Sequence, residues 1–175
     1  FVYLGKTKTL MELLLENVAE ERELTSYEIE RDKPMPSRNH GKLQMRIGFE
    51  MMAKYRNRFD IVSEPTLQML ERPRVPDLAF FNVQESDWFD DETKITEVPQ
   101  GVIEILSPSQ SEQELISKFP PYFNLGVKTV WLVVPVFQTI YVFDSPRSYQ
   151  TFTIANPILK DTILDVELDL NKIFE

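Results

Sequence analysis

Two acids stand inside apolar strings: Asp77 in Val75-Pro76-Asp77-Leu78-Ala79-Phe80-Phe81, and Glu104 in Val102-Ile103-Glu104-Ile105-Leu106. A carboxylate buried in such surroundings is costly unless it is paired or binds a cation. If the two strings are neighbouring strands, both acids converge at one end of a sheet, and oxygen donors of this kind suit a hard divalent ion, Mg²⁺ or Mn²⁺. Such an ion polarises a phosphodiester and lowers the pKa of attacking water, and a nearby lysine adds stabilisation of the developing charge. The competing reading is structural: an Asp that opens a strand, and a Glu bridged to an arginine such as Arg46 or Arg74.

Composition narrows the chemistry further. The chain has no cysteine and one histidine, His40. Thiolate zinc sites, iron–sulfur clusters, cysteine nucleophiles and multi-histidine metal sites are therefore excluded. A Ser-His-Asp triad would have to recruit His40, and no Gly-x-Ser-x-Gly turn is present. The five glycines are too dispersed for a phosphate loop or a dinucleotide fingerprint. A net charge of −9 argues against a protein that coats nucleic acid through a broad basic face, but leaves room for a small cleft. No apolar stretch is long enough to span a bilayer. The expectation is a cytoplasmic protein with no membrane partner.

The elements that must position these acids follow from periodicity. At 175 residues and 42% hydrophobic, one domain spanning 1–175 is expected. Leu10, Leu13, Leu14 and Val18 predict an amphipathic helix over about 8–21, and Ser26 to Glu30 an edge strand, so that 8–31 forms an N-terminal helix and strand. A core follows over 38–134. Its long helix covers 38–57, where Leu43, Ile47, Met51 and Tyr55 recur every four residues and Arg38, Lys42, Arg46, Arg56 and Arg58 offer a candidate phosphate-binding face. Strands at 61–69 and 76–82 are expected to form a hairpin through Glu71-Arg72-Pro73-Arg74, with further strands at 102–106 and 129–134. Ser109 would cap a helix from about Gln110 to Gly126, making a strand–helix–strand crossover. The acidic interval 83–99 reads as a long loop, and 139–175 as a C-terminal hairpin with a closing segment.

The ordered strings Val75-Pro76-Asp77-Leu78-Ala79-Phe80 and Val102-Ile103-Glu104-Ile105-Leu106-Ser107-Pro108-Ser109, followed by Lys118, Tyr122, Gly126-Val127 and Val130-Trp131-Leu132-Val133, resemble the Uma family of restriction-endonuclease-like proteins. That family is similar in turn to the PD-(D/E)XK nuclease superfamily. The resemblance spans about 28–174. It implies an α/β fold: a mixed central sheet flanked by helices, in α-β-β-β-α-β order with a C-terminal β-hairpin. It further implies a metal-dependent nuclease acting on nucleic acid, most naturally DNA, with a homodimer as one way to address two strands. Asp77 matches the metal-binding Asp and Glu104 the second acid, and the Ile105 carbonyl would be a further ligand to Mg²⁺ or Mn²⁺. The superfamily's lysine stands two residues after the second acid, where this chain has Leu106; Lys118, on the next helix, would replace it. Pro120-Pro121 should break or kink that helix and could displace Lys118. His40 and Glu64 also match family positions, as substrate-side and outer acid residues, and Gln113 and Glu114 would line the cleft. A fold that has lost its activity and serves as a scaffold, or as a nucleic-acid or protein interaction module using the Trp88-Phe89 loop, is the alternative.

Overall fold

The computed structural model describes residues 35–90 and 92–175. The helix expected over 8–21 and the strand at 26–30 lie outside the described residues. Helix α1 (Arg38–Tyr55) begins at Ser37, whose side chain caps the His40 amide, and it buries Leu43, Ile47 and Met51 at the four-residue spacing that its sequence carries.

Among the described residues, six strands form the central sheet in sequential order: β1 (Phe59–Ser63), β2 (Leu78–Asn82), β3 (Gly101–Ile105), β4 (Thr129–Val134), β5 (Thr139–Ser145) and β6 (Ser148–Thr153). Only the β3–β4 pair is parallel. A parallel pair needs a crossover, and two short helices supply it: α2 (Glu112–Ile116) and α3 (Phe119–Leu125). A two-residue gap, Ser117 and Lys118, replaces the single helix expected there. The break precedes Pro120 and Pro121, which fall in the first turn of α3, where a missing N–H costs nothing. The cap of α2 is Ser111 rather than Ser109; Ser111 Oγ accepts from Glu114 N while the Glu114 carboxylate accepts from Ser111 N. Gly126 ends α3 with φ +108, a left-handed conformation natural to glycine.

The expected hairpin at 61–82 is also corrected. β1 starts at Phe59 and stops at Ser63, because Glu64 turns the chain with φ 50 and Pro65 follows. Residues 64–77 leave the sheet. Within that excursion Leu67 pairs with Arg74 on one side and with Ile95 of the acidic interval on the other. The interval is therefore a loop pinned at Ile95, with Trp88 and Phe89 exposed.

Alternation along the strands sorts the core into two layers. Phe80, Ile103, Ile105 and Trp131 pack with α1 on one face, and Ala79, Phe81, Val102 and Val130 pack with Leu115, Phe119 and Tyr122 on the other. Under the first face lies a two-stranded ribbon that periodicity did not reveal, β7 (Ile158–Asp161) with β8 (Val166–Asp169), followed by α4 (Leu170–Phe174). Asp161 is buried in it, and its carboxylate accepts from Trp131 Nε1 and from the Ile163 and Leu164 amides, which satisfies it.

Candidate active site at the β2–β3 end

The β2–β3 ladder pairs Leu78 with Ile103, and the bond from Asp77 N to Ile103 O (3.0 Å) carries the pairing past the end of β2. Glu104 is the next residue of β3 after Ile103, so the two acids stand at the same end of this pair of strands. Both acids are 1% exposed. Both acids are therefore buried at one end of the sheet.

Each acid is held by named donors. Asp77 Oδ2 accepts from Ile105 N (2.6 Å), and Asp77 Oδ1 lies 3.0 Å from His40 Nε2. His40 Nδ1 is in turn 3.0 Å from Ser107 Oγ, and all three side chains are buried. The Asp77 carbonyl accepts from Gln44 Nε2 and from Glu64 N. On the opposite face of the sheet, Tyr122 donates its hydroxyl to Glu104 Oε1 at 2.6 Å. Burial foremost, then the Glu104 charge and the hydrogen bond to it, push the Tyr122 hydroxyl well above the ordinary tyrosine value; Asp77 adds to the rise and Arg74 opposes it. Tyr122 is therefore a fixed donor.

Lys118 is the N-cap residue of α3, four positions before Tyr122, and is 8% exposed; Pro120 and Pro121 follow it in the first turn of that helix. Arg46, one of the two arginines considered as a partner for Glu104, reaches instead to the Ile173 and Glu175 carbonyls. Glu64 contributes its backbone to Asp77. Gln113 is exposed on α2, and none of the bonds just described reaches it; Glu114 is occupied as the N3 acid of the α2 cap. Residue-by-residue reading did not assign roles to Ser107, Gln44 and Tyr122. Ser107 and Tyr122 stood in the matching strings, but spacing could not show that one reaches His40 across 67 positions and the other Glu104.

The donor set suits a hard divalent ion: two carboxylates and no soft ligand. Among the described residues, no group of three or more His, Asp or Glu side chains is arranged to hold a metal. Two carboxylates are nevertheless the usual protein share for Mg²⁺, which keeps several waters and takes substrate phosphate oxygens.

A mixed sheet with helices on both faces makes this an α/β fold, with the two acids at the end of β2 and β3. It superposes on the crystal structure of "a putative nuclease belonging to DUF820" from Anabaena variabilis with TM-score 0.69 and 20% identity, covering 81% of this chain and 83% of that one. The chain belongs to the Uma2 family, described as "Putative restriction endonuclease", which it matches over residues 11–171. Among curated proteins none matches the sequence.

Proposed function

We propose that this protein is a divalent-metal-dependent nuclease that hydrolyses phosphodiester bonds of DNA. The observation that carries the reading is the burial of Asp77 and Glu104 together at one end of the β2–β3 strands; family membership and the fold of the neighbour support it. Asp77 and Glu104 would hold Mg²⁺ or Mn²⁺, with the Ile105 carbonyl beside them. When bound, the ion supplies Lewis-acid polarisation of the phosphoryl oxygen and makes the attacking water more acidic. His40 and Ile105 N keep the Asp77 carboxylate in one orientation, and Tyr122 does the same for Glu104. Lys118 places an ammonium where charge develops on the phosphoryl oxygens as water adds to phosphorus, one P–O ester bond breaks, and the departing oxygen takes a proton from solvent. Arg72 and Arg74 line a cleft with Pro121 and Asn124, a path for the flanking backbone phosphates.

Cleavage of plasmid or oligonucleotide DNA that requires Mg²⁺ or Mn²⁺ and disappears in Asp77→Ala and in Glu104→Ala is the expected result. Cleavage that survives both substitutions rejects the site. Cutting both strands of a duplex calls for two such domains, and light scattering with and without duplex tests for pairing.

One observation favours a second reading, a nuclease fold retained as an interaction module: Trp88 and Phe89 stand exposed on the acidic loop while Leu106 occupies the usual lysine position. Calorimetric titration with Mn²⁺ separates the two, since an abandoned site would give no binding heat.

A further inference from the structure

The buried polar groups beside Asp77 form one chain, Ser107 Oγ to His40 Nδ1 and His40 Nε2 to Asp77 Oδ1, with each step 3.0 Å. Its polarity follows from what each group can do. A carboxylate only accepts, so the bond to Asp77 places a hydrogen on His40 Nε2. A neutral imidazole carries one ring hydrogen, which leaves Nδ1 an acceptor, and the Ser107 hydroxyl must then donate to it. We propose that Ser107 is a positioning residue: by donating to Nδ1 it locks His40 in the Nε2–H tautomer, whose N–H holds the Asp77 carboxylate.

The arrangement has the composition of a nucleophilic triad, but Ser107 is 2% exposed and cannot meet a substrate. Its place in the fold suits an anchor. Ser107 follows Ile105, whose amide binds the other Asp77 oxygen, so one turn after β3 grips Asp77 both directly and through His40. The His40 backbone is fixed independently by the Ser37 cap. Without the serine hydroxyl, only the Asp77 carboxylate is left to favour the Nε2–H form, Nδ1 loses its donor, and any population of the Nδ1–H tautomer turns a lone pair toward Asp77 and releases the carboxylate. The importance of this for an ion rests on the reading of Asp77 as a metal ligand; hydrogen-bond partners of metal ligands typically carry about 10- to 100-fold in affinity.

His40 is the chain's one histidine, so ¹⁵N NMR of its ring reads the tautomer without ambiguity. In the metal-free protein at neutral pH the expected result is a protonated Nε2 and an acceptor Nδ1. Ser107→Ala is expected to lose that pattern and to bind Mn²⁺ about 10- to 100-fold more weakly, with Ser107→Thr retaining both. A wild-type ring protonated at Nδ1, or at both nitrogens, overturns the proposal, as does Ser107→Ala with an unchanged tautomer. The wild-type spectrum judges the proposal even if the alanine variant does not fold. Wild-type protein that shows the expected tautomers and binds no Mn²⁺ rejects the nuclease reading while leaving the relay in place.

Discussion

Tyr122 donates to Glu104 from a position closed to water, and its raised pKa has a consequence for stability. In the unfolded chain a tyrosine gives up its proton near about pH 10. The folded protein holds the Tyr122 proton beyond that value. The resulting stabilisation is complete below about pH 10 and is lost as pH climbs from there toward the folded value. Tyr122→Phe leaves a buried carboxylate short of a donor and should cost roughly 1–3 kcal/mol at neutral pH. Denaturant titrations across pH should show the gap between wild type and Tyr122→Phe narrowing above about pH 10; a gap unchanged to about pH 11 would contradict the assigned donor. Asp77 and Glu104 were legible in the sequence because an acid within an apolar strand conflicts with its neighbours. Asp161 is equally buried and was not legible: it sits in a short polar segment, and its three donors come from Trp131 and its own turn. Acid burial alone therefore does not mark a candidate site; Asp77 and Glu104 stand apart because they come together at one end of neighbouring strands.

At the scale of elements, the strands with continuous apolar runs and the four-residue period of α1 were readable because burial on a regular face leaves a repeat. What was not readable depended on turns. The 64–77 excursion hangs on the Glu64 backbone and on Leu67 pairing with two partners, one of them 28 residues away at Ile95. The β7–β8 ribbon has strands of four residues, too short for a period to register. β3 shows how tightly these elements are fitted around the site. A Cβ added at Gly101 would meet Thr129 Cγ2 at 2.8 Å and side-chain carbons of Phe80 and Leu164 at 3.1 Å. Gly101→Ala should therefore destabilise by about 1–3 kcal/mol, visible as a lower denaturant midpoint with an unchanged slope. Because Gly101 opens the strand that carries Glu104, the same variant should weaken Mn²⁺ binding; a midpoint at or above that of wild type would show that β3 has more room than the contacts allow.

For the molecule as a whole, charge is arranged in an unexpected way. Four of the cations on and just after α1 serve the C-terminal part of the chain: Lys42 donates to the Glu175 carbonyl, Arg46 to Ile173 and Glu175, Lys54 to Glu167, and Arg58 to Leu164 and Asp165. Periodicity revealed the helix and its charged side but not what that side would meet. α4 closes the α1 layer, with Leu170 and Ile173 fully buried. Ile173→Ala should cost about 2–5 kcal/mol, measured as a fall in melting temperature, and a change under about 1 kcal/mol would show that α4 is dispensable to the core.

The relay from Ser107 through His40 to Asp77 joins positions 67 residues apart, and the helix that bears His40 is bolted down by carbonyls beyond residue 163. Contacts so distant in sequence form late, after the loops between them have closed. A chain still emerging from the ribosome should therefore lack the clamp on α1, and with it a fixed His40 to hold Asp77, until the C-terminal ribbon and helix have been made.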